Sequence, residues 1–285
     1  MFGLSLQVIL GLSAIGTLIT VAGSFIATWL TSYVFVRSFE KWKARQALFN
    51  VYCRYRDPII LAALELCHRM DEILKDYSPS FLNSDNLKQQ IKFMTIYTAE
   101  DLYFQQYKLI STIYRFCAFL GWLELYRQEV TFLDSGRNRV NLRLESCINH
   151  IREDLADGQI NMADDWNHWK DGLIFREEQR AIGDAMICGT GQSRSIMGYG
   201  SFYKLLDTTS GTIAFTWIEI VQEFLCNHGT HQQDFREARF RRLVVHLIDL
   251  IELLDHDKMT DKMKKCRFEQ TEKLEKFYTT PLTIR

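Results

Sequence analysis

The stretch "SFIATWLTSYVFVRSFEKWKARQ", residues 24–46, passes within one helical turn from uncharged apolar residues to closely spaced bases. The first part of this stretch, up to residue 36, is the end of a largely apolar run of 29 residues, 8–36, that carries no charged side chain. As a helix this run would be about 44 Å long, against a hydrocarbon core of about 30 Å. A signal peptide, the alternative, would have bases before a shorter apolar segment, whereas no Lys or Arg precedes this run. The pattern predicts a retained membrane span within residues 1–36.

The bases that follow the run predict its orientation. Basic residues beside a span stay on the cytoplasmic side, which places the N-terminus outside and the rest of the chain in the cytosol. Residues 37–56 are therefore predicted to be a basic juxtamembrane helix. Its first bases lie close enough to the span to bind anionic membrane lipid: Arg37, Lys41, Lys43 and Arg45. Trp29 and Tyr33 fit an aromatic belt at the same interface.

Small residues recur along the span at intervals of three and four. Gly16, Thr20, Gly23 and Ala27 would form one helix face that a second span could approach closely. This spacing predicts a homo-oligomer formed through the span.

Composition predicts that the rest of the chain is all-α. The sequence holds only three prolines, and its turn residues are sparse. We expect a cytosolic helical domain at 57–257 and a tail at 258–285. A formal net charge of −1 gives no general attraction to nucleic acid, so nucleic acid is not an expected partner. Seven widely spaced cysteines without a CxxC motif are typical of reduced thiols in a cytosol.

Local signals give approximate helix limits. Asp57 and Pro58 form an N-cap and N1 pair that should begin a helix, and Thr98 with Asp101 should begin a long one that Gly136 ends. Further helices are expected at 139–156, 175–187, 200–206, 212–226 and 234–255. The most apolar later stretches, 112–126, 212–225 and 242–254, are too short and too charged to be spans and are expected to be core helices.

Two blocks, "GWLELYRQEVTFLD" (121–134) and "FREEQRAIGDAM" (175–186), place charges among apolar residues. Glu124 and Arg127 are three apart on a helix that is apolar almost all round, so at least one must be buried or lie in a cleft. Arg176 and Arg180 are candidate partners. Two interpretations remain open, a buried ion-pair network that joins core helices and a polar cleft that holds an anionic ligand.

The two blocks, behind an N-terminal span, resemble a family of uncharacterised bacterial membrane-anchored helical proteins. The resemblance implies a bacterial origin, and hence the inner membrane, but no activity.

Chemical motifs are sparse. Cys226, His228 and His231 are zinc-binding residue types, but their spacing is too tight for a usual structural finger. The glycine-rich segment "CGTGQSRSIMGYGS" (188–201) matches no phosphate-binding motif and is expected to be a mobile loop. No cofactor or metal is predicted.

The Arg-x4-6-His pattern of HEPN ribonucleases occurs at Arg241 with His246 and at Arg143 with His150. Chance accounts for two such matches in this composition. A nearby basic segment, "REARFRR" (236–242), could serve an anionic partner or pair with acids of the domain itself.

The sequence therefore favours interaction over catalysis. We expect a single-pass membrane-anchored interaction or effector protein with an unidentified protein partner, acting in bacterial stress or phage defence. The alternative is a membrane-tethered HEPN-like ribonuclease that uses Arg241 and His246.

Overall fold

The computed structural model describes residues 6–75, 82, 100–131, 139–156, 172–208, 213–226 and 235–279. These residues are almost entirely helical, which confirms the all-α prediction. The chain divides into two compact units, with the boundary between Asn50 and Val51.

The first unit holds the first part of a helix that continues without a break through three segments. Helix α1 (Leu6–Trp29) leads into a π-helical turn (Leu30–Phe35) and then into α2 (Val36–Lys75). Trp29 and Val36, which flank the π-helical turn, both have right-handed helical dihedral angles. The helical backbone is therefore continuous from the apolar run into the basic segment.

The apolar part of this helix meets the length and composition that a membrane span requires. From Ser13 it is long and apolar enough to cross a membrane, and it is the one such helix among the described residues. Its most apolar window has no buried residues. Several of its hydroxyl groups donate hydrogen bonds to carbonyl oxygens three or four residues earlier: those of Thr17, Thr20, Ser24, Thr28 and Thr31.

The predicted helix start at Asp57 and Pro58 is wrong, because α2 continues through both residues. Asp57 accepts a hydrogen bond from Arg56 Nε at 2.9 Å. Tyr55 and Ile59, on either side of the proline, are both buried in the core of the second unit. We attribute the continuity to this packing, which offsets the lost backbone hydrogen bond of the proline.

Apart from the last one, the remaining helices follow the predicted limits closely. Thr98 and Gly136, the predicted limits of the long helix, lie outside the described residues. The helices are α3 (Glu100–Thr131), α4 (Arg139–Ala156), α5 (Arg176–Ala185), α6 (Tyr199–Thr208), α7 (Ile213–Leu225), α8 (Phe235–Leu254) and α9 (Asp261–Thr279).

Two regions differ from expectation. The glycine-rich segment contains a short antiparallel hairpin in which β1 (Ile187–Cys188) pairs with β2 (Ser195–Ile196). Gly189, at φ 83°, permits the tight turn, since a Cβ there would meet the Ser193 carbonyl oxygen at 2.6 Å. The predicted C-terminal tail contains helix α9, whose Met263 and Gln270 are buried.

The core of the second unit forms where these helices cross. The largest packing contacts join α3 to α5 and join α8 to both α4 and α9. Phe116, Val221 and Ile248 lie in the three apolar stretches that were expected to be core helices, and all three are buried. Helix α4 thus packs against α8, and its other neighbours include α5.

Candidate functional site

Two clusters of charged side chains lie on different faces of α4. Residues 152 and 153 face the α3–α5 pair, whereas residues 150 and 154 face α8. The first cluster contains the residues predicted from the two sequence blocks. The second contains His246 of the HEPN-like pattern.

The first cluster forms where α5 crosses α3 at close range. A Cβ at Gly183 would lie 2.7 Å from Glu124 Cβ and 2.7 Å from the Leu120 carbonyl oxygen, so only glycine fits without displacement. The crossing covers Glu124, which is only 3% exposed. Glu124 is therefore the buried member of the Glu124–Arg127 pair, as its apolar surroundings required.

The hydrogen bonds to the carboxylate oxygens of Glu124 come from side chains of its own helix. Arg127 donates from Nε to Oε2 at 2.8 Å and from Nη2 to Oε1 at 2.5 Å, and Gln128 Nε2 donates to Oε1 at 3.1 Å. Burial alone would raise the pKa of Glu124, but the hydrogen bonds from Arg127 and Gln128 outweigh it and lower that pKa. The carboxylate is therefore ionised at neutral pH.

Gln128 links this carboxylate to the neighbouring elements. Its Nε2 also lies 3.2 Å from Asp184 Oδ1 on α5, and its Oε1 accepts from Arg194 Nη1 at 2.7 Å. Arg194 also pairs with Glu129 at 2.5 Å. Gln128 and Arg194 join the network although the sequence analysis did not select them.

Arg176 does not pair with Glu124. Its Nη2 lies 3.0 Å from Glu153 Oε1 on α4, and Arg180 is exposed. The prediction that Arg176 would be a partner of Glu124 was therefore wrong, because α4 packs beside the start of α5 and places Glu153 next to Arg176. Whether the cluster holds an anionic ligand stays a prediction.

Arg152 is the member of this cluster that sequence analysis missed. Burial lowers its pKa, Glu124 partly offsets this, and Arg180, Arg127 and Arg176 lower it further. Ile148 and Leu155, four before and three after Arg152, are buried core residues of the same helix. That spacing next to the apolar stripe was a signal that Arg152 would be partly buried.

The second cluster is centred on Asp154, which is fully buried. Its Oδ2 lies 2.5 Å from His246 Nδ1, and its Oδ1 lies 3.0 Å from Arg242 Nε, both on α8. Arg239 Nη1 donates to the Asp154 carbonyl oxygen at 2.8 Å. The His150 ring stacks on the His246 ring with 5.3 Å between centroids. His150 and Asp154 are four residues apart in α4 and therefore lie on the same face of this helix, a relation that the sequence alone shows.

Arg241, the other residue of the HEPN-like pair, points to a different neighbour. It is buried, donates from Nη1 to Gln270 Oε1 of α9 at 2.5 Å and forms an ion pair with Glu237. Arg242, rather than Arg241, shares a partner with His246. All four arginines of segment 236–242 are engaged by the domain itself: Arg236, Arg239, Arg241 and Arg242.

Other groups around His246 limit the available chemistry. Burial raises the pKa of the Cys147 thiol to about 12, so this thiol is protonated at neutral pH and is a poor nucleophile. Burial also raises the pKa of Asp249, against the opposing effects of Arg267 and His246. Arg267 lies 2.6 Å from Asp249. Of the groups described, His246 and His150 are the candidate acid–base pair.

The predicted lipid-facing bases are all on the exposed surface of α2: Arg37, Lys41, Lys43 and Arg45. Arg37 donates to Tyr33 Oη at 3.1 Å and lies over the Tyr33 ring. The Phe39 and Trp42 rings stack with 5.8 Å between centroids, and both are exposed. Bases and aromatic rings thus alternate along one segment.

The predicted packing face of α1 is open in the single chain. A Cβ at Gly16 or at Gly23 would meet no atom within 4 Å. Thr20 donates its hydroxyl to the Gly16 carbonyl oxygen at 2.8 Å, and Ala27 is exposed.

The zinc-type residues are only partly described. Cys226 is buried, whereas His228 and His231 lie outside the described residues. Among the residues that the structure describes, no group of three or more His, Cys, Asp and Glu side chains is arranged to hold a metal ion.

No protein-family model, curated protein or solved structure matches the chain.

Proposed function

We propose that the chain is a single-pass membrane protein whose residues 8–36 cross the bilayer and whose helical domain acts in the cytosol as an interaction or effector protein. The supporting observation is the exposure of large apolar side chains along α1, including Leu18 at 70% and Phe25 at 74%. Moving such a side chain from water into an apolar environment gains about 1.5–3 kcal/mol. The hydroxyls already bonded within the helix add little cost in hydrocarbon.

The basic segment supports the orientation in this proposal. The bases at 37–45 follow the span directly, so this end is expected at the cytoplasmic surface. Phe39 and Trp42 suit the headgroup region, and the bases suit anionic lipid. Self-association through Gly16, Thr20, Gly23 and Ala27 is part of the proposal, since close approach of two spans is the role that small residues have in membranes.

Extraction from membranes tests this proposal. We expect the full chain, expressed in bacteria, to stay in the membrane pellet after washing with alkaline carbonate. Ile19→Arg combined with Phe25→Arg should release it or prevent its insertion, because each charge near the centre of a span costs about 2.5–3.5 kcal/mol. The matched control is Leu61→Arg combined with Leu142→Arg, at exposed apolar positions of the second unit. Recovery of the unmutated chain in the wash would contradict the proposal.

A membrane-tethered HEPN-like ribonuclease is the second candidate function. The observation that favours it is the stacking of His150 on His246, which brings together the histidines of both Arg-x4-6-His matches. Asp154 accepts a hydrogen bond from His246 Nδ1, so His246 Nε2 is left as the nitrogen that could exchange a proton with a substrate.

An RNA-cleavage assay on the detergent-purified full chain tests this candidate. If it is right, the unmutated chain cleaves RNA and His246→Ala lowers the rate by about 100-fold or more, the usual contribution of acid–base catalysis. His256→Ala, at an exposed histidine, is the control. Melting curves of both variants separate lost chemistry from lost folding. Failure of the unmutated chain to cleave single-stranded or structured RNA would exclude this function.

A further inference from the structure

Four arginine side chains come from the three helices around the α3–α5 crossing. They belong to Arg127 on α3, Arg152 on α4, and Arg176 and Arg180 on α5. Gln179, next to Arg180 on α5, donates from Nε2 to the Arg152 carbonyl oxygen at 3.0 Å, and Arg176 Nη2 lies 3.0 Å from Glu153 Oε1, so α5 lies beside α4 at these arginines. The other three arginines also each lower the pKa of Arg152. Three helices of the second unit therefore bring positively charged side chains close together.

The neighbouring carboxylates are already occupied. Both oxygens of Glu124 accept hydrogen bonds from Arg127, and one of them also accepts from Gln128. Glu153 pairs with Arg176. Asp184 accepts from Gln128.

Two of the four guanidiniums are left over. Within the described part of the chain, Arg152 and Arg180 have no hydrogen-bond or ion-pair partner for their side chains, although Glu124 attracts Arg152 from a greater distance. Arg152 is partly buried, where an unpaired charge is costly. An unpaired guanidinium that is partly buried beside three further arginines is the arrangement expected of a binding site for an anion.

Phosphate is the anion whose shape and charge match this cluster. A guanidinium forms two parallel hydrogen bonds to phosphate oxygens, and arginine is the preferred residue for such recognition. A phosphate monoester carries about −1.5 to −2 charges at neutral pH, close to the two positive charges of the guanidiniums without a carboxylate partner. Asp184, which is hydrogen-bonded to the neutral amide of Gln128, offsets part of that positive charge. Carboxylate ligands carry half that charge per group.

We infer that Arg127, Arg152, Arg176 and Arg180 form a binding site for a phosphate monoester dianion, with Arg152 and Arg180 as the groups that contact it. Free phosphate and the phosphate of a small organic monoester present the same chemistry to this site. Arg127 and Arg176, held by Glu124 and Glu153, supply the surrounding positive potential. This inference does not depend on the membrane span, and its failure would leave the proposed function untouched.

Calorimetric titration of the detergent-purified full chain tests the site. Inorganic phosphate and adenosine 5′-monophosphate are the two probes, with acetate at equal ionic strength as the control anion. We expect saturable binding of phosphate, of the nucleotide or of both, and none of acetate. Equal affinity for the two probes identifies the phosphate as the recognised group, whereas tighter binding of the nucleotide identifies an organic monoester.

Variants locate the binding. Arg152→Gln and Arg180→Gln should each weaken binding about tenfold or more, as expected for the loss of a charge-assisted hydrogen bond. Lys262→Gln removes one exposed charge from α9 and should bind as the unmutated chain does. Without ligand, Arg152→Gln should melt at the same temperature as the unmutated chain or higher, because it removes an unpaired, partly buried cation.

Arg180 is exposed, so Arg180→Gln keeps the test valid if Arg152→Gln fails to fold. The inference is overturned if neither probe binds the unmutated chain at millimolar concentration. It is also overturned if Arg180→Gln binds as tightly as the unmutated chain.

Discussion

Replacing Asp154 with alanine should lower the free energy of unfolding by about 3–5 kcal/mol, the usual cost of breaking a buried ion pair. Asp154 is fully buried and neutralises Arg242 while holding His246. Without its carboxylate, the cations of α8 face α4 with no counter-charge at this point. Chemical denaturation of the purified chain, followed by circular dichroism, measures the change.

Glu153→Ala is the matched control, one residue away on the same helix. Glu153 and Arg176 are each nearly half exposed, so their ion pair contributes about 0–1 kcal/mol. We therefore expect a large difference between two neighbouring acidic residues. Equal losses in the two variants would show that the Asp154 cluster does not stabilise the α4–α8 contact.

Gly183→Ala should destabilise the protein by about 1–3 kcal/mol through overpacking. Alanine is intrinsically better than glycine in a helix by about 1 kcal/mol, so intrinsic preference alone predicts the opposite sign. The added Cβ would lie 2.7 Å from both Glu124 Cβ and the Leu120 carbonyl oxygen, and the second of these is backbone that cannot rotate away. Helix α5 must then move away from α3, which would loosen the arginine cluster as well.

Gly200→Ala, in α6, separates the packing effect from the helix preference. A Cβ at Gly200 would meet no atom within 4 Å, so this change should be neutral or slightly stabilising. Gly183→Ala should therefore lower the melting temperature, whereas Gly200→Ala should leave it unchanged or raise it slightly. Stabilisation by Gly183→Ala would mean that α5 and α3 are not in close contact at this position.

Much of the helical organisation was predictable from local sequence. The all-α class, the apolar run at 8–36 and the core helices follow from composition and periodicity, which depend on neighbouring residues only. The burial of at least one of Glu124 and Arg127 also followed, because their helix is apolar almost all round, and the structure shows that Glu124 is the buried one. The helix break expected at Pro58 was wrong, since Tyr55 and Ile59 pack into the core on both sides of it.

The sequence by itself determined that at least one charge of the Glu124–Arg127 pair would be buried or lie in a cleft, and that the domain would be helical. Only the tertiary structure decided the partners: Glu153 for Arg176, Arg242 beside His246, and Arg152 in the arginine cluster. The physical reason is that helix formation depends on contacts three or four residues apart, whereas ion-pair partners depend on which helices cross. Asp154 and His246 are 92 residues apart in the chain, and only the packing of α4 against α8 brings them within 2.5 Å.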